Sequence, residues 1–285
     1  MGEDRPMSDP VLLVPARFCG PPSSGNGGWT CGALAALVPG CPEDRADAWP
    51  TIEVSLLRPP PLDAPMPVDE EDGVLTAHLE PTGADPTGTA EGDASTTGGT
   101  GSRAVAVARC TDSALEPVAP VPADAAAAAT ASYPGLAEHP FPTCFACGTA
   151  REEGDGLRIF PGLVEPAESG ARRVAAPWTP HPSLAEDYHQ YVDEHARASL
   201  ASTWAALDCP GGWAGDFGSR LMVLARMRAR IDALPVIGEP HVVVGEARGD
   251  EGRKTFTATT LYDADGRVVG TAEHLWVRVD PTAFS

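Results

Sequence analysis

Four strand-forming runs crowded into the last quarter of the chain constrain its fold most. Leu221–Ile231, His241–Ala247, Lys254–Tyr262 and Arg267–Val279 are rich in β-branched and apolar residues. The last two are joined by Asp263-Ala264-Asp265-Gly266, a strong hairpin turn signal. Such a series predicts an antiparallel meander. Ala196–Asp208, just before it, reads as a helix with Leu200, Trp204 and Leu207 on one face. Pro210 biases Cys209 away from helix, so the helix is expected to stop or kink there. Gly156–Phe160 and Arg172–Pro177 are further strand candidates. One helix followed by a long meander gives an α+β architecture.

The N-terminal half carries the same order. Val11–Phe18 is a plausible strand, and Gly20–Gly28 is a loop rich in Gly, Pro and Ser. Asn26 is placed to cap a helix running from Gly27 to Val38. That helix is apolar nearly all round, which predicts burial. Thr51–Leu57, Gly73–Leu79 and Ala104–Cys110 follow as strand candidates. Two stretches form structure poorly. Pro81–Ser102, rich in Gly, Thr, Asp, Ala and Pro, reads as a long mobile loop. Ala114–Ser132, rich in Ala and Pro, reads as the connection between halves, with room for a short helix at Ala125–Ala129.

The formal charge of -20 argues against nucleic acid and anionic membrane surfaces as partners, since both need a basic face. The polar, acidic Met1–Pro10 has no signal core, and no apolar run reaches the roughly 20 residues of a membrane span. A cytoplasmic protein with reduced thiols is expected. Its 7 cysteines are odd in number and irregularly spaced.

Gly25-Asn26-Gly27-Gly28-Trp29-Thr30-Cys31-Gly32-Ala33-Leu34 resembles the Gly-Gly segment opening the N-terminal helix of thioesterase-like double hotdog proteins, including the acyl-CoA thioesterase II type. Thr51–Pro61 resembles the strand that follows that helix, and Leu221–Val279 resembles a hotdog sheet. The resemblance implies two buried helices, each wrapped by an antiparallel sheet and joined as a pseudo-dimer. The N-terminal hotdog would span 1–113, with the insertion at 81–102. A linker would occupy 114–138, and the C-terminal hotdog 139–285.

The resemblance also implies a site. The family's helix carboxylate falls on Asp208, and its polar partner on the last strand falls near His274. The strand after the second helix offers no Ser or Thr for the family's third polar residue. Gly27 and Gly28, at a helix N-terminus, offer amides to an oxyanion, and Asn26 adds a side-chain donor. Trp29 and Trp213 are expected as substrate-facing apolar walls, with Cys209–Ala214 forming a turn beside the site. Asp208, near the expected helix end, would have its pKa raised by the dipole and suit a general base. The plain alternatives stand beside these: a capped tight turn at Gly25–Gly28, a helix-terminal Asp bonding local backbone, and a half-buried packing histidine.

Cys144-Phe145-Ala146-Cys147-Gly148 is a CxxC, read as two packed thiols in a turn. A structural zinc needs four ligands, and His139 and Cys209 are the nearest candidates. Neither a metal nor a cofactor is expected. The function expected is hydrolysis of an acyl-CoA or acyl-carrier thioester. The alternative is a non-catalytic acyl-binding protein or partner subunit with the same groove, and self-association is compatible with either.

Overall fold

A computed structural model describes residues 10–38, 49–79, 103–185 and 195–280. The expected loop at 81–102 lies outside the described residues. The strands are β1 (Val11–Leu12), β2 (Ile52–Leu56), β3 (Met66–Glu71), β4 (Val74–Leu79), β5 (Arg103–Cys110), β6 (Gly162–Val164), β7 (Arg173–Trp178), β8 (Met222–Ile231), β9 (His241–Glu251), β10 (Lys254–Tyr262) and β11 (Val268–Arg278). The α-helices are α1 (Gly27–Ala35), α2 (Ala123–Ala129) and α3 (Leu200–Ala214).

All these strands form a single 11-stranded sheet in the order β1-β3-β4-β5-β2-β8-β11-β10-β9-β7-β6. The first five strands outward from the middle follow the same order in either direction, and β6 adds one more edge strand on the C-terminal side. The strand after each long helix is central, the fourth of the meander lies beside it, and the strand before the helix adds outside. β2 and β8 join the halves antiparallel, with Val54 opposite Met227. The row continues through His274 on β11 and Thr257 on β10. All four side chains are buried, so this row marks the face that the helices cover.

α1 and α3 lie on that face and pack directly against each other. α1 contains Gly27, Gly28 and Gly32, poor helix formers, yet it is held by its cap and its burial. Asn26 Oδ1 accepts from the Trp29 amide at 2.8 Å. Gly28 and Gly32, one turn apart, let the helices approach closely. A Cβ at Gly28 would lie 2.4 Å from Asp208 Cβ, and one at Gly32 would lie 2.7 Å from Ala201 Cα.

α3 is capped by Ser199, whose hydroxyl accepts from the Ser202 amide, and every residue from Leu200 to Ala214 is buried. The expected stop at Pro210 is not observed; the helix continues for another turn. An interior proline costs about 3 kcal/mol relative to alanine, and burial of the whole helix offsets it. Cys209–Ala214 is therefore helix, not a turn.

Other elements shift in detail. The Asp72-Gly73 turn, with φ of 51° and 76°, closes a β3–β4 hairpin; β3 was not among the expected strands. Val11–Phe18 is a two-residue strand followed by a 3-10 turn. Gly156–Phe160 is not a strand. The segment expected as a linker packs on the opposite face of the sheet. The Val118 amide donates to Thr260 Oγ1 at 2.8 Å, the Tyr262 hydroxyl donates to the Val118 carbonyl, and Ala126 of α2 is buried beside Ala175 and Val244. No helix among the described residues is long and apolar enough to cross a membrane.

Candidate active site between the two helices

The entry to α1 and the third turn of α3 meet at a cavity of about 300 Å³. Asn26, Gly27, Asp208 and Trp213 line it, together with Met222–Ala225 from β8. The expected carboxylate and the expected helix N-terminus, 180 residues apart in sequence, are thus neighbours.

Asp208 is 2% exposed. Its Oδ2 accepts from the Gly28 amide at 2.9 Å and from Asn26 Nδ2 at 3.2 Å. Its Oδ1 is buried without a hydrogen-bond partner among the described residues. Burial pushes the carboxyl up to about 7; the Gly28 and Asn26 bonds pull against that, and the neighbouring Cys144 adds to it. The helix dipole is not the cause, because Asp208 sits inside α3 rather than at its end.

The two expected oxyanion amides have different fates. Gly28 donates to Asp208 and does not line the cavity. Gly27 does line it, and its amide is among the four at a helix start that lack an intrahelical acceptor. The Asn26 side chain spends both its groups internally, one on the Trp29 cap and one on Asp208.

Trp213 stands as an apolar wall, 1% exposed and edge-on to Tyr133 and Phe217 at 4.8 and 5.2 Å. Trp29 does not line the cavity: it stacks on Phe18 at 4.1 Å. His274 is also apart. It faces the helices, as strand alternation requires, but lies under Gly211, one turn beyond Asp208. Its Nδ1 pairs with Thr257 Oγ1 at 3.3 Å. Burial lowers its pKa to about 4, so it is neutral there.

Four further contributors to this cavity are not placed there by the sequence. Ser24, 4% exposed, supplies a hydroxyl from the loop before α1. Cys144 and Cys147, read as turn thiols, reach the wall beside Cys209, and His139 joins them. The CxxC was the available signal; what placed it was the fold.

No protein-family model matches the chain, and no curated protein matches it. Similar solved structures include a hotdog-fold protein from Alicyclobacillus acidocaldarius, at 13% identity over 95% of this chain and 93% of that one, with a TM-score of 0.48. A tesB protein from Mycobacterium avium subs paratuberculosis matches at 14% identity over 95% and 92%, TM-score 0.47. A protein described as an oleoyl thioesterase, from Lactobacillus plantarum, matches at 9% identity over 96% and 98%, TM-score 0.49. Two buried helices under one antiparallel sheet are the arrangement expected of a hotdog-type chain from the segment Gly25–Leu34.

Proposed function

We propose that this chain is a double hotdog pseudo-dimer that hydrolyses an acyl-CoA or acyl-carrier thioester in the cavity between α1 and α3. The observation that supports the reading most is the unpartnered Asp208 Oδ1 at the wall of an otherwise largely apolar cavity. A buried carboxylate oxygen with nothing to accept from is costly unless another molecule serves it. In this reading a water sits on Oδ1, and Asp208 takes its proton as the water oxygen attacks the thioester carbonyl carbon. The Gly27 amide faces the carbonyl oxygen as it gains charge. The C–S bond then breaks, the thiolate leaves and takes up the proton, and a carboxylic acid and a thiol result. Gly28 and Asn26 position Asp208 and do not touch substrate.

One observation favours the second reading, acyl binding without turnover: the Gly28 amide is already committed to Asp208, which leaves the oxyanion a single backbone donor. A thiol-release assay across a panel of acyl-CoAs separates the two. Turnover by the wild type that falls at least ~10²-fold in Asp208→Asn, with folding retained, supports hydrolysis. Release unchanged by that substitution removes Asp208 from the chemistry. Saturable acyl-CoA binding without release leaves the binding protein.

A further inference from the structure

Three cysteines from two distant parts of the chain bring their sulfurs together at one end of the cavity. Cys144 and Cys147 come from the CxxC turn, and Cys209 comes from α3. Their Sγ atoms all lie within 4.8 Å of one another, and Cys144 and Cys209 are 3.7 Å apart. A disulfide needs sulfurs at about 2.05 Å. Three thiolates held ~2.3 Å from one tetrahedral ion sit about 3.8 Å apart. The cluster already has that spacing to within an ångström.

Hydrogen-bond donors surround the three sulfurs. The CxxC turn closes with the Gly148 amide donating to the Cys144 carbonyl at 2.9 Å, and the amides of Ala146 and Cys147 point at the Cys144 sulfur. Asn26 Nδ2 lies 3.7 Å from Cys144 Sγ and 4.0 Å from Cys209 Sγ. The Trp213 indole N–H is buried with no hydrogen-bond partner among the described residues, and it sits beside Cys147. Donors thus converge from three elements on a group that, as three neutral thiols, would accept from them only weakly.

His139 is the nearest nitrogen, with Nε2 at 3.4 Å from Cys147 Sγ. It is not oriented as a ligand. Its Nδ1 accepts the Phe141 amide at 2.9 Å, so Nε2 carries the proton and donates toward the Cys147 carbonyl at 3.1 Å and the sulfur. Its role is that of a hydrogen-bonding partner which orients a ligand.

We propose that Cys144, Cys147 and Cys209 form a three-thiolate site for zinc, with the fourth coordination position facing the cavity. Three sulfurs select a soft or borderline ion, and three protein ligands plus an open position are the arrangement of a zinc that exchanges a water or a thiol. Binding releases the three thiol protons and leaves a site of net charge -1. The proposal is independent of the thioesterase reading.

The test is metal content of the full-length chain, purified, supplied with zinc sulfate and dialysed. We expect about one zinc per chain, released by titration with a mercurial that captures thiolates. Cys144→Ser, Cys147→Ser and Cys209→Ser should each fall at least tenfold in retained zinc, while Cys31→Ala and His139→Gln keep it. Cobalt(II) in place of zinc should give thiolate charge-transfer and tetrahedral d–d bands, and adding a small thiol should shift them. Where a serine variant fails to fold by circular dichroism, the mercurial titration and cobalt spectrum of the wild type decide. A wild type that retains no zinc, or zinc untouched by the three serine changes, overturns the site. Loss in His139→Gln equal to that in the cysteine variants overturns the open fourth position.

Discussion

The Gly28 amide of α1 donates to the Asp208 carboxylate of α3 at 2.9 Å, so the bond that orients the buried acid of the cavity is also a bond between the two halves of the chain. The helices can come this close because Gly28 has no side chain. Substitution of a helix glycine by alanine ordinarily gains roughly 0.5–1 kcal/mol. Here the sign should reverse: the new Cβ would meet Asp208 Cβ at 2.4 Å and the Trp204 carbonyl oxygen at 2.8 Å. Gly28→Ala and Gly32→Ala should each lose about 1–3 kcal/mol. Urea midpoints equal to or above the wild type would show that the helices are not packed glycine to backbone.

His274 makes acid stability a readable quantity. The unfolded imidazole titrates at its ordinary value of 6.5, and burial holds the folded one at about 4. Above pH 6.5 neither state is charged, and the group contributes its full stability. As pH falls toward 4 only the unfolded state takes up the proton, and roughly 3 kcal/mol should be lost across that window. Below pH 4 both states are protonated and the loss ends. His274→Gln should flatten the dependence of unfolding free energy on pH between 6.5 and 4 by one proton. An unchanged slope would mean that His274 is not buried neutral.

How far this was legible in the sequence differs by residue. Asn26 announced a cap by its position before an apolar run, and it caps. Asp208 follows from the family resemblance, and its environment differs from the expected helix end because α3 runs on past Pro210. Propensity is local, and fifteen buried residues outweighed one proline. His274 likewise follows from the resemblance, with a half-buried packing histidine as the alternative; it is 3% exposed and faces the helices. Alternation says nothing about which helical turn covers a residue, and Gly211 covers this one. Asp72-Gly73 carried a plain hairpin signal that the acidic run before it obscured. The CxxC and the candidates His139 and Cys209 are legible in the sequence, but their meeting is not: Cys209 lies 62 positions beyond Cys147, and the fold sets the three sulfurs together.

The turn of α3 around Pro210 is tied to the sheet by Thr259, whose hydroxyl donates to the Leu207 carbonyl at 2.8 Å. Thr259 is fully buried. Thr259→Val keeps the shape and removes the donor, and should cost about 1 kcal/mol in urea unfolding. No loss would indicate that the proline turn holds itself.

Asn26 distinguishes a capping role from an orienting one. Asp caps a helix as well as Asn does, so if Asn26 merely satisfied the Trp29 amide, Asn26→Asp should be neutral. Its Nδ2 also donates to Asp208 Oδ2 at 3.2 Å, and both residues are 2% exposed. The aspartate variant keeps the cap acceptor but sets a second carboxyl against Asp208 where a donor stood. Asn26→Ser keeps a cap of similar strength and adds no charge. The expected order of stability is therefore wild type, then Asn26→Ser, then Asn26→Asp, with the last at least ~2 kcal/mol below the wild type near neutral pH. Any thioester turnover should fall further in Asn26→Asp than in Asn26→Ser. Equal urea midpoints for wild type and Asn26→Asp would reduce Asn26 to a cap and leave Asp208 positioned by Gly28 alone.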